Sequence, residues 1–225
     1  MVVESSKNLV PKFFSKTATT YNKVVVCATF GKDRFWKNQI LKQITSGRSF
    51  LDLACGTGIL TRKIAAKFPA AQVTGIDVSP SYLEVAKQHS TECKNIVYVY
   101  QDAEQLNLDS KFDCIVSSYI PKYCNPDLLI KACLNHLKSG GKIVLHDFTY
   151  PTNKMVRMLW NSYFVLLRIA GFFIPSWNFA FLDLPKLIRT SAWLTEYNQV
   201  MQNYGLDTKE MHLTWDCAAV LVGTR

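Results

Sequence analysis

The spacing of hydrophobic positions changes near residue 49 of the chain. Upstream, residues 1–48 mix polar and aromatic positions in a pattern that indicates helices. Downstream, short apolar runs alternate with segments whose apolar residues recur every three or four positions, as in amphipathic helices. The apolar runs lie at residues 49–54, 71–78, 96–103, 112–119 and 142–148. This alternation of strands and helices predicts an α/β fold with a doubly wound, mostly parallel sheet.

The segment 151–192 interrupts the alternation. Its apolar and aromatic part, residues 155–182, contains Arg157 and Arg168, whereas a membrane-spanning helix needs about 20 mostly apolar residues. We therefore predict an inserted pair of helices, which either packs into the core or forms a substrate lid that also contacts lipid. Residues 193–225 predict an amphipathic helix and two closing strands, the last of them antiparallel.

The composition limits the class of protein but does not identify its ligand or partner. The net charge of +9 is spread along the chain, and no block of like charges resembles a nucleic-acid-binding arm. The seven cysteines are odd in number and form no C-x-x-C pair, which disfavours a disulfide framework or a zinc site. They favour a reducing, cytoplasmic setting. The N-terminus has no apolar signal-peptide region, so we expect no secretion signal.

The first predicted strand leads into a glycine-containing turn, in the sequence LDLACGTG at residues 51–58. Gly56 and Gly58 match the first two glycines of a dinucleotide-binding motif, but Thr61 occupies the third position. Glycine leaves the backbone open to close approach by a ligand. The carboxylate of Asp52 would repel a diphosphate and would attract an ammonium group. The turn therefore favours a ligand that carries an amine and no phosphate.

Polar residues also follow the next three predicted strands. Asp77 ends the second strand at the spacing where an acid binds ribose hydroxyls. Asp102 ends the third strand, where it can accept from the exocyclic amine of adenine, and Ser118 ends the fourth. The carboxyl ends of parallel strands meet at the edge of the sheet where ligands bind. An amine, a ribose and an adenine together predict S-adenosylmethionine as the cofactor, rather than a nicotinamide dinucleotide.

The sequence resembles the class I S-adenosylmethionine-dependent methyltransferases in the order of LDLACGTG, GIDVSPSYLEVAK, QDAEQL and LKSGGKIVLHDF. More narrowly, residues 13–37, 146–151 and 213–225 resemble the ubiquinone/menaquinone-biosynthesis C-methyltransferases. The resemblance implies a Rossmann-like fold and transfer of a methyl group to a ring carbon of a lipid quinol. It also implies cofactor contacts, beyond those of Asp52, Gly56 and Gly58, by Thr57, Asp77, Val78, Asp102, Ala103 and Ser118.

The division of the chain follows from its length and this resemblance. A chain of 225 residues fits one α/β domain with a small insertion. We predict a helical cover over residues 1–48, a cofactor-binding core over 49–150 and a helical lid insertion over 151–192. Residues 193–225 would complete the domain with a helix and closing strands.

Methylation of a quinol carbon also requires that a hydroxyl of the ring lose its proton, for which a base is useful. The resemblance places the acid of the family on Asp147, and we prefer it over His146 and Tyr21 as the base. Side chains alternate along a strand, so His146 and Asp147 should point to opposite faces. Lys122, where the family has arginine, would stabilise the phenolate electrostatically. Tyr123 likewise replaces an asparagine of the family.

The resemblance implies a hydrophobic acceptor, a prenylated quinol. We expect no nucleic acid as acceptor, because the chain has no N-P-P-Y-type tetrapeptide after the fourth strand and no paired cysteine motif. Because Lys122 replaces the arginine, another phenol or a sterol-like lipid is an alternative acceptor. A binding protein that has lost methyl transfer is a further alternative, disfavoured by the intact turn and strand-end acids. The implied location is cytoplasmic, and peripheral contact with the inner face of the membrane and homodimerisation are left open.

Overall fold

The computed structural model describes residue 14 and residues 17–225. Its strands are β1 (Ser49–Leu53), β2 (Gln72–Asp77), β3 (Ile96–Tyr100), β4 (Phe112–Ser118), β5 (Leu137–Phe148), β6 (Asp207–Leu213) and β7 (Ala218–Thr224). Within this part of the chain they form one sheet in the order β3-β2-β1-β4-β5-β7-β6. Strands β1 to β5 pair in parallel, and β7 runs antiparallel to β5 and β6. The predicted α/β sheet, mostly parallel with an antiparallel C-terminal strand, is confirmed.

The α-helices surround this sheet. They are α1 (Tyr21–Ala28), α2 (Lys32–Gln43), α3 (Ile59–Lys67), α4 (Pro80–Gln88), α5 (Pro126–His136), α6 (Lys154–Phe173), α7 (Asn178–Thr190) and α8 (Trp193–Asn203). Short 3₁₀ helices lie at Ala103–Gln105, Pro121–Tyr123 and Pro175–Trp177. Helices α6 and α7 occupy the segment for which the sequence predicted an inserted helical pair.

Apolar side chains cover both faces of the sheet. On one face, Leu51 and Leu53 of β1 pack with Ile115 of β4 and with residues of α5 and α8. On the other face, Phe50 packs with Val116 and with residues of α2 and α3. A parallel sheet covered on both faces gives nearly continuous apolar strands, which explains why the sequence displayed them so clearly.

Strand β5 begins earlier than the sequence indicated. The predicted strand started at residue 142, but β5 extends back to Leu137, directly after α5. The pairing with β4 is irregular there, because Phe112 pairs with Leu137 and Cys114 pairs with Lys142. Gly140 adopts a left-handed φ of 72° within this irregular part. A glycine-containing irregularity in a strand has the same sequence signature as a loop.

Hydrogen bonds join the lid helices to the N-terminal helical cover. The indole of Trp177, which lies between α6 and α7, donates to the hydroxyl of Thr20 at 2.9 Å. The hydroxyl of Tyr163 on α6 donates to the carbonyl oxygen of Ala28 on α1 at 2.5 Å. Together these elements enclose a space beyond the ends of β4 and β5. Across the described residues, no helix is both long enough and apolar enough to span a bilayer.

Candidate active site

The turn after β1 depends on its glycines for reasons that lie within the chain. Gly56 and Gly58 have left-handed φ values of 55° and 74°, and Gly58 is the N-cap of α3. A β-carbon on Gly58 would overlap the hydroxyl of Tyr98. A β-carbon on Gly56 would make only an ordinary contact with Tyr82, at 3.5 Å. The left-handed backbone favours glycine at both positions, and at Gly58 the packing of the chain also requires it.

Asp52 is held by the residue that replaces the third glycine. Its carboxylate is buried and accepts a hydrogen bond from the hydroxyl of Thr61 at 2.6 Å. Burial raises the pKa of Asp52 to about 7, although the bond from Thr61 and the nearby charge of Lys37 oppose the shift. Asp52 lines a cavity of about 30 Å³ together with residues of the turn, such as Gly56 and Thr57, and with Ser118 at the end of β4.

Two of the side chains that line this cavity form hydrogen bonds to neighbouring elements. The hydroxyl of Thr57 donates to the side-chain oxygen of Asn22 on α1 at 2.6 Å. The hydroxyl of Ser118 lies 3.0 Å from Nδ1 of His146. The helical cover and the end of β5 therefore fix the walls of the small cavity.

The strand-end acids lie along the edge of the sheet and bind nearby backbone groups. Asp77 accepts from the backbone N–H groups of Gly56 at 2.9 Å and Ser79 at 2.8 Å, and Val78 follows it, partly exposed. Burial raises the pKa of Asp77, opposed by these N–H donors. Asp102 accepts from the N–H of Glu104 at 3.0 Å and caps the 3₁₀ helix that contains the buried Ala103. These four predicted residues lie at the ends of β2 and β3, outside the lining of the small cavity.

A larger cavity of about 360 Å³ lies beside the small one, between the ends of β4 and β5 and the helices α1, α6 and α7. Half of its lining residues are aromatic, among them Phe14, Tyr21, Tyr119, Tyr123, Phe148, Trp160, Phe164, Trp177 and Phe181. Tyr21 and Tyr119 line both cavities. The strand order β3-β2-β1-β4-β5 therefore runs from the two strand-end acids, past the turn, to the aromatic cavity.

A buried ion pair joins the 3₁₀ helix Pro121–Tyr123, which follows β4, to β5 at the wall of the large cavity. Nζ of Lys122 lies 2.7 Å from Oδ1 of Asp147, and the same ammonium donates to the carbonyl oxygen of Tyr119 at 2.8 Å. The carboxylate of Asp147 also accepts from the backbone N–H groups of Lys122 and Phe148, at 3.2 and 2.7 Å. Burial raises the pKa of Asp147 and lowers that of Lys122, and the charge of each partner opposes the shift of the other.

The two members of the pair differ in their access to the cavity. Lys122 lines it, and its Nζ lies 4.5 Å from the ring centroid of Tyr123. Asp147 is fully buried behind Lys122 and does not line the cavity. An acceptor in the cavity would contact the ammonium directly and the carboxylate only through it. The role of Asp147 as the base stays a prediction.

The other two predicted bases have different surroundings. His146 points to the opposite face of β5 from Asp147, against Trp36 and Tyr119, and lines neither cavity. Burial, together with the charges of nearby lysines, lowers the pKa of His146 well below its usual value, so the ring is neutral. Tyr21 lines both cavities, but burial raises its pKa well above the usual value. Tyr21 is therefore suited to donate a hydrogen bond rather than to accept a proton.

A second buried ion pair, which the sequence did not predict, lies on α2. Asp33 and Lys37 are both buried and form a salt bridge one helical turn apart. The hydroxyl of Tyr119 donates to Oδ1 of Asp33 at 2.8 Å. The only signal in the sequence was an acid and a lysine four residues apart, which is also the usual spacing of a solvated surface pair.

The hydrogen-bond acceptors along this edge fit S-adenosylmethionine. Three carboxylates lie at the ends of β1, β2 and β3, and the cavity at the turn between β1 and α3 is lined by both the acid Asp52 and the cation Lys37. Such a turn suits an amino acid and a nucleoside better than a diphosphate. When bound, the cofactor supplies an electrophilic methyl group.

Comparison with known proteins agrees with this fit. The sequence matches the ubiE/COQ5 methyltransferase family over residues 1–225. It is 29% identical to the ubiquinone/menaquinone biosynthesis C-methyltransferase UbiE of Pseudomonas putida (strain W619) over 221 residues, covering 94% of this chain and 86% of that protein.

Solved structures share the fold at lower identity. The phosphoethanolamine N-methyltransferase 2 of Haemonchus contortus, in complex with S-adenosylmethionine, aligns with a TM-score of 0.67 at 16% identity, covering 100% of this chain and 60% of that one. The N-methyltransferase NodS of Bradyrhizobium japonicum WM9, with S-adenosylhomocysteine, aligns with a TM-score of 0.58 at 16% identity, covering 87% of each chain. This chain belongs to the ubiE/COQ5 methyltransferase family and is an S-adenosylmethionine-dependent methyltransferase.

Proposed function

We propose that this methyltransferase acts on a ring carbon of a lipid quinol of the demethylmenaquinol or demethylubiquinol type. The observation that carries the proposal is a buried ammonium, that of Lys122, in the wall of a cavity lined mostly by aromatic and aliphatic side chains. An aromatic lining suits a flat ring and an apolar tail, and the ammonium suits an oxygen of the ring that becomes negative. UbiE of Pseudomonas putida is a C-methyltransferase of quinone biosynthesis, which supports the same class of acceptor.

The chemistry defines what the residues must do. One hydroxyl of the quinol loses its proton, and the resulting phenolate increases electron density on the neighbouring ring carbon. A carbon–carbon bond then forms to the methyl group as the methyl–sulfur bond breaks, and the hydrogen on that ring carbon leaves as a proton. The protein holds the acceptor in line and excludes water, which is catalysis by proximity and orientation.

In this proposal Lys122 is the residue that contacts the acceptor. An ammonium carries three N–H donors. Among the described residues, two oxygens accept from it, Oδ1 of Asp147 and the carbonyl oxygen of Tyr119. The third N–H is left for the oxygen of an acceptor in the cavity. Asp147 holds the ammonium in place and receives the proton of the acceptor through it.

The acceptor can be tested directly. We expect the purified protein with methyl-labelled S-adenosylmethionine to label demethylated quinols after reduction, with mass spectrometry placing the label on a ring carbon. Label on an oxygen, or on a sterol or a simple phenol but not on a quinol, would replace the proposed acceptor. Binding of the cofactor without transfer to any reduced quinol would likewise overturn the proposed acceptor.

We further propose that the outer face of α6 rests on an anionic membrane surface. Exposed apolar side chains recur along this face of a helix that is about 30 Å long; they are Met155, Met158, Leu159, Val165, Leu166, Ile169, Phe172 and Phe173. The face adjoins the aromatic cavity, because Leu159 is exposed and also lines it. Phe30 and Trp215 are likewise exposed and line the cavity. A prenyl tail could then enter the cavity from the lipid.

Flotation with liposomes tests this surface. We expect the protein to float with anionic liposomes, and the double variant Phe172→Ser/Phe173→Ser to bind at least about tenfold more weakly, because two aromatic side chains no longer enter the interface. Leu128→Ser, which changes an exposed apolar residue on α5, is the matched control and should bind like the unchanged protein. A protein that stays in solution, or a control that weakens binding equally, would exclude this surface.

A further inference from the structure

Helix α2 carries a buried lysine into the cavity at the glycine turn. Lys37 lines this cavity together with Asp52, Thr57 and Ser118, although it precedes the turn by some 20 residues in the sequence. It is 4% exposed, and its Nζ lies 4.9 Å from the ring centroid of Tyr119. A lysine is almost never buried to this extent without a partner.

The partner of Lys37 leaves part of its donor capacity unused. Asp33, one turn earlier on α2, is 1% exposed and accepts from the ammonium. Among the described residues it is the one hydrogen-bond acceptor of an ammonium that has three N–H groups. Asp33 is itself fixed by the hydroxyl of Tyr119. Lys37 is therefore held at the cavity with donors left over.

The charges that line the small cavity are opposite in sign. Asp52 enters it from the end of β1, and Lys37 enters it from α2. The amino-acid part of S-adenosylmethionine carries an ammonium and a carboxylate close together. The strand order places this part at β1 and β4, because the two strand-end acids proposed for the ribose and adenine lie at β2 and β3.

We propose that Lys37 binds the α-carboxylate of S-adenosylmethionine, opposite Asp52, and that Asp33 positions the ammonium of Lys37. The ligand would supply the second negative partner of a buried cation whose first partner is Asp33. This assignment concerns the cofactor alone and holds whichever acceptor is methylated.

The test compares two ligands that differ only in the carboxylate, S-adenosylmethionine and decarboxylated S-adenosylmethionine, by calorimetric titration without an acceptor. For Lys37→Met we expect affinity for the first to fall about 10- to 100-fold, the usual effect of losing a hydrogen bond between charged groups. Affinity for the second should change less than about threefold. Lys37→Arg should recover part of the loss, and Lys42→Met, exposed on the same helix, should change neither affinity.

A second variant guards against misfolding. Lys37→Met leaves Asp33 buried without its cation, so Lys37→Met/Asp33→Asn removes both charges, and its fold is checked by circular dichroism. We expect it to discriminate between the two ligands as poorly as the single variant. An equal loss for both ligands, or no loss for either, would overturn the assignment.

Discussion

Replacing Lys122 with methionine is expected to lower turnover about 100- to 1000-fold, the usual effect of removing one donor to a developing oxyanion. Affinity for S-adenosylmethionine should change little, because Lys122 lines the aromatic cavity and not the cavity at the turn. Single-turnover rates with a labelled methyl group, beside calorimetric titration of the cofactor, separate the two effects. Lys32→Met is the matched control, since Lys32 lines the same cavity but is exposed, and it should retain most of the activity.

Lys122→Met also lowers the stability of the fold, and the experiment must separate this effect from the effect on catalysis. Removing Lys122 leaves the carboxylate of Asp147 buried without its cation, and breaking a buried pair typically costs about 3–5 kcal/mol. Lys122→Met/Asp147→Asn should recover most of this loss in the free energy of unfolding while turnover stays low. Asp147→Asn alone should lower turnover much more than cofactor affinity, because it releases Lys122. Turnover that returns together with stability in the double variant would refute a direct role for Lys122.

The fold was predictable because both faces of the sheet are buried. Apolar runs such as the one that contains Phe50 and Leu51 sit between helical segments, and this pattern leaves few alternatives to a doubly wound sheet. The start of β5 was not predictable, because Gly140 and Gly141 look like a loop in the sequence. The irregular pairing with β4, which keeps these glycines in the strand, cannot be predicted from the sequence.

The cofactor could be predicted from the sequence, whereas the contacts between side chains of the site could not. Asp52 and the glycine turn indicated the ligand, since they are adjacent in the chain. The bond from Thr61 to Asp52 and the salt bridge of Lys122 to Asp147 join residues 9 and 25 positions apart. Such contacts depend on how elements pack. Lys37 was missed for the same reason, because a surface lysine and a buried one look alike in a sequence.

The second large effect concerns Asp52 and pH. Its pKa is raised from the usual value of 3.8 to about 7, mainly by burial, so the unliganded protein holds a proton there below pH 7. We propose that ionised Asp52 attracts the ammonium of the cofactor, an α-amino group that ordinarily titrates near pH 8 and stays protonated over this range. Binding must then release the proton of Asp52, and the dissociation constant of S-adenosylmethionine should rise about 20-fold between pH 7.5 and pH 5.5.

Asp52→Asn isolates this effect, because the amide can still accept from Thr61 but cannot ionise. Its affinity should be about 10- to 100-fold weaker at pH 7.5 and nearly independent of pH below 7, and binding should release no proton.

The free energy of unfolding depends on pH in the opposite direction from the affinity for the cofactor. A pKa raised by folding favours the folded state below the usual value near 4, and this contribution is lost as pH rises through 7. Without ligand, Asp52→Asn should therefore gain stability relative to the unchanged protein above pH 7, in thermal unfolding across pH. An affinity in the unchanged protein that does not vary with pH would show that Asp52 acts only on the backbone of the turn.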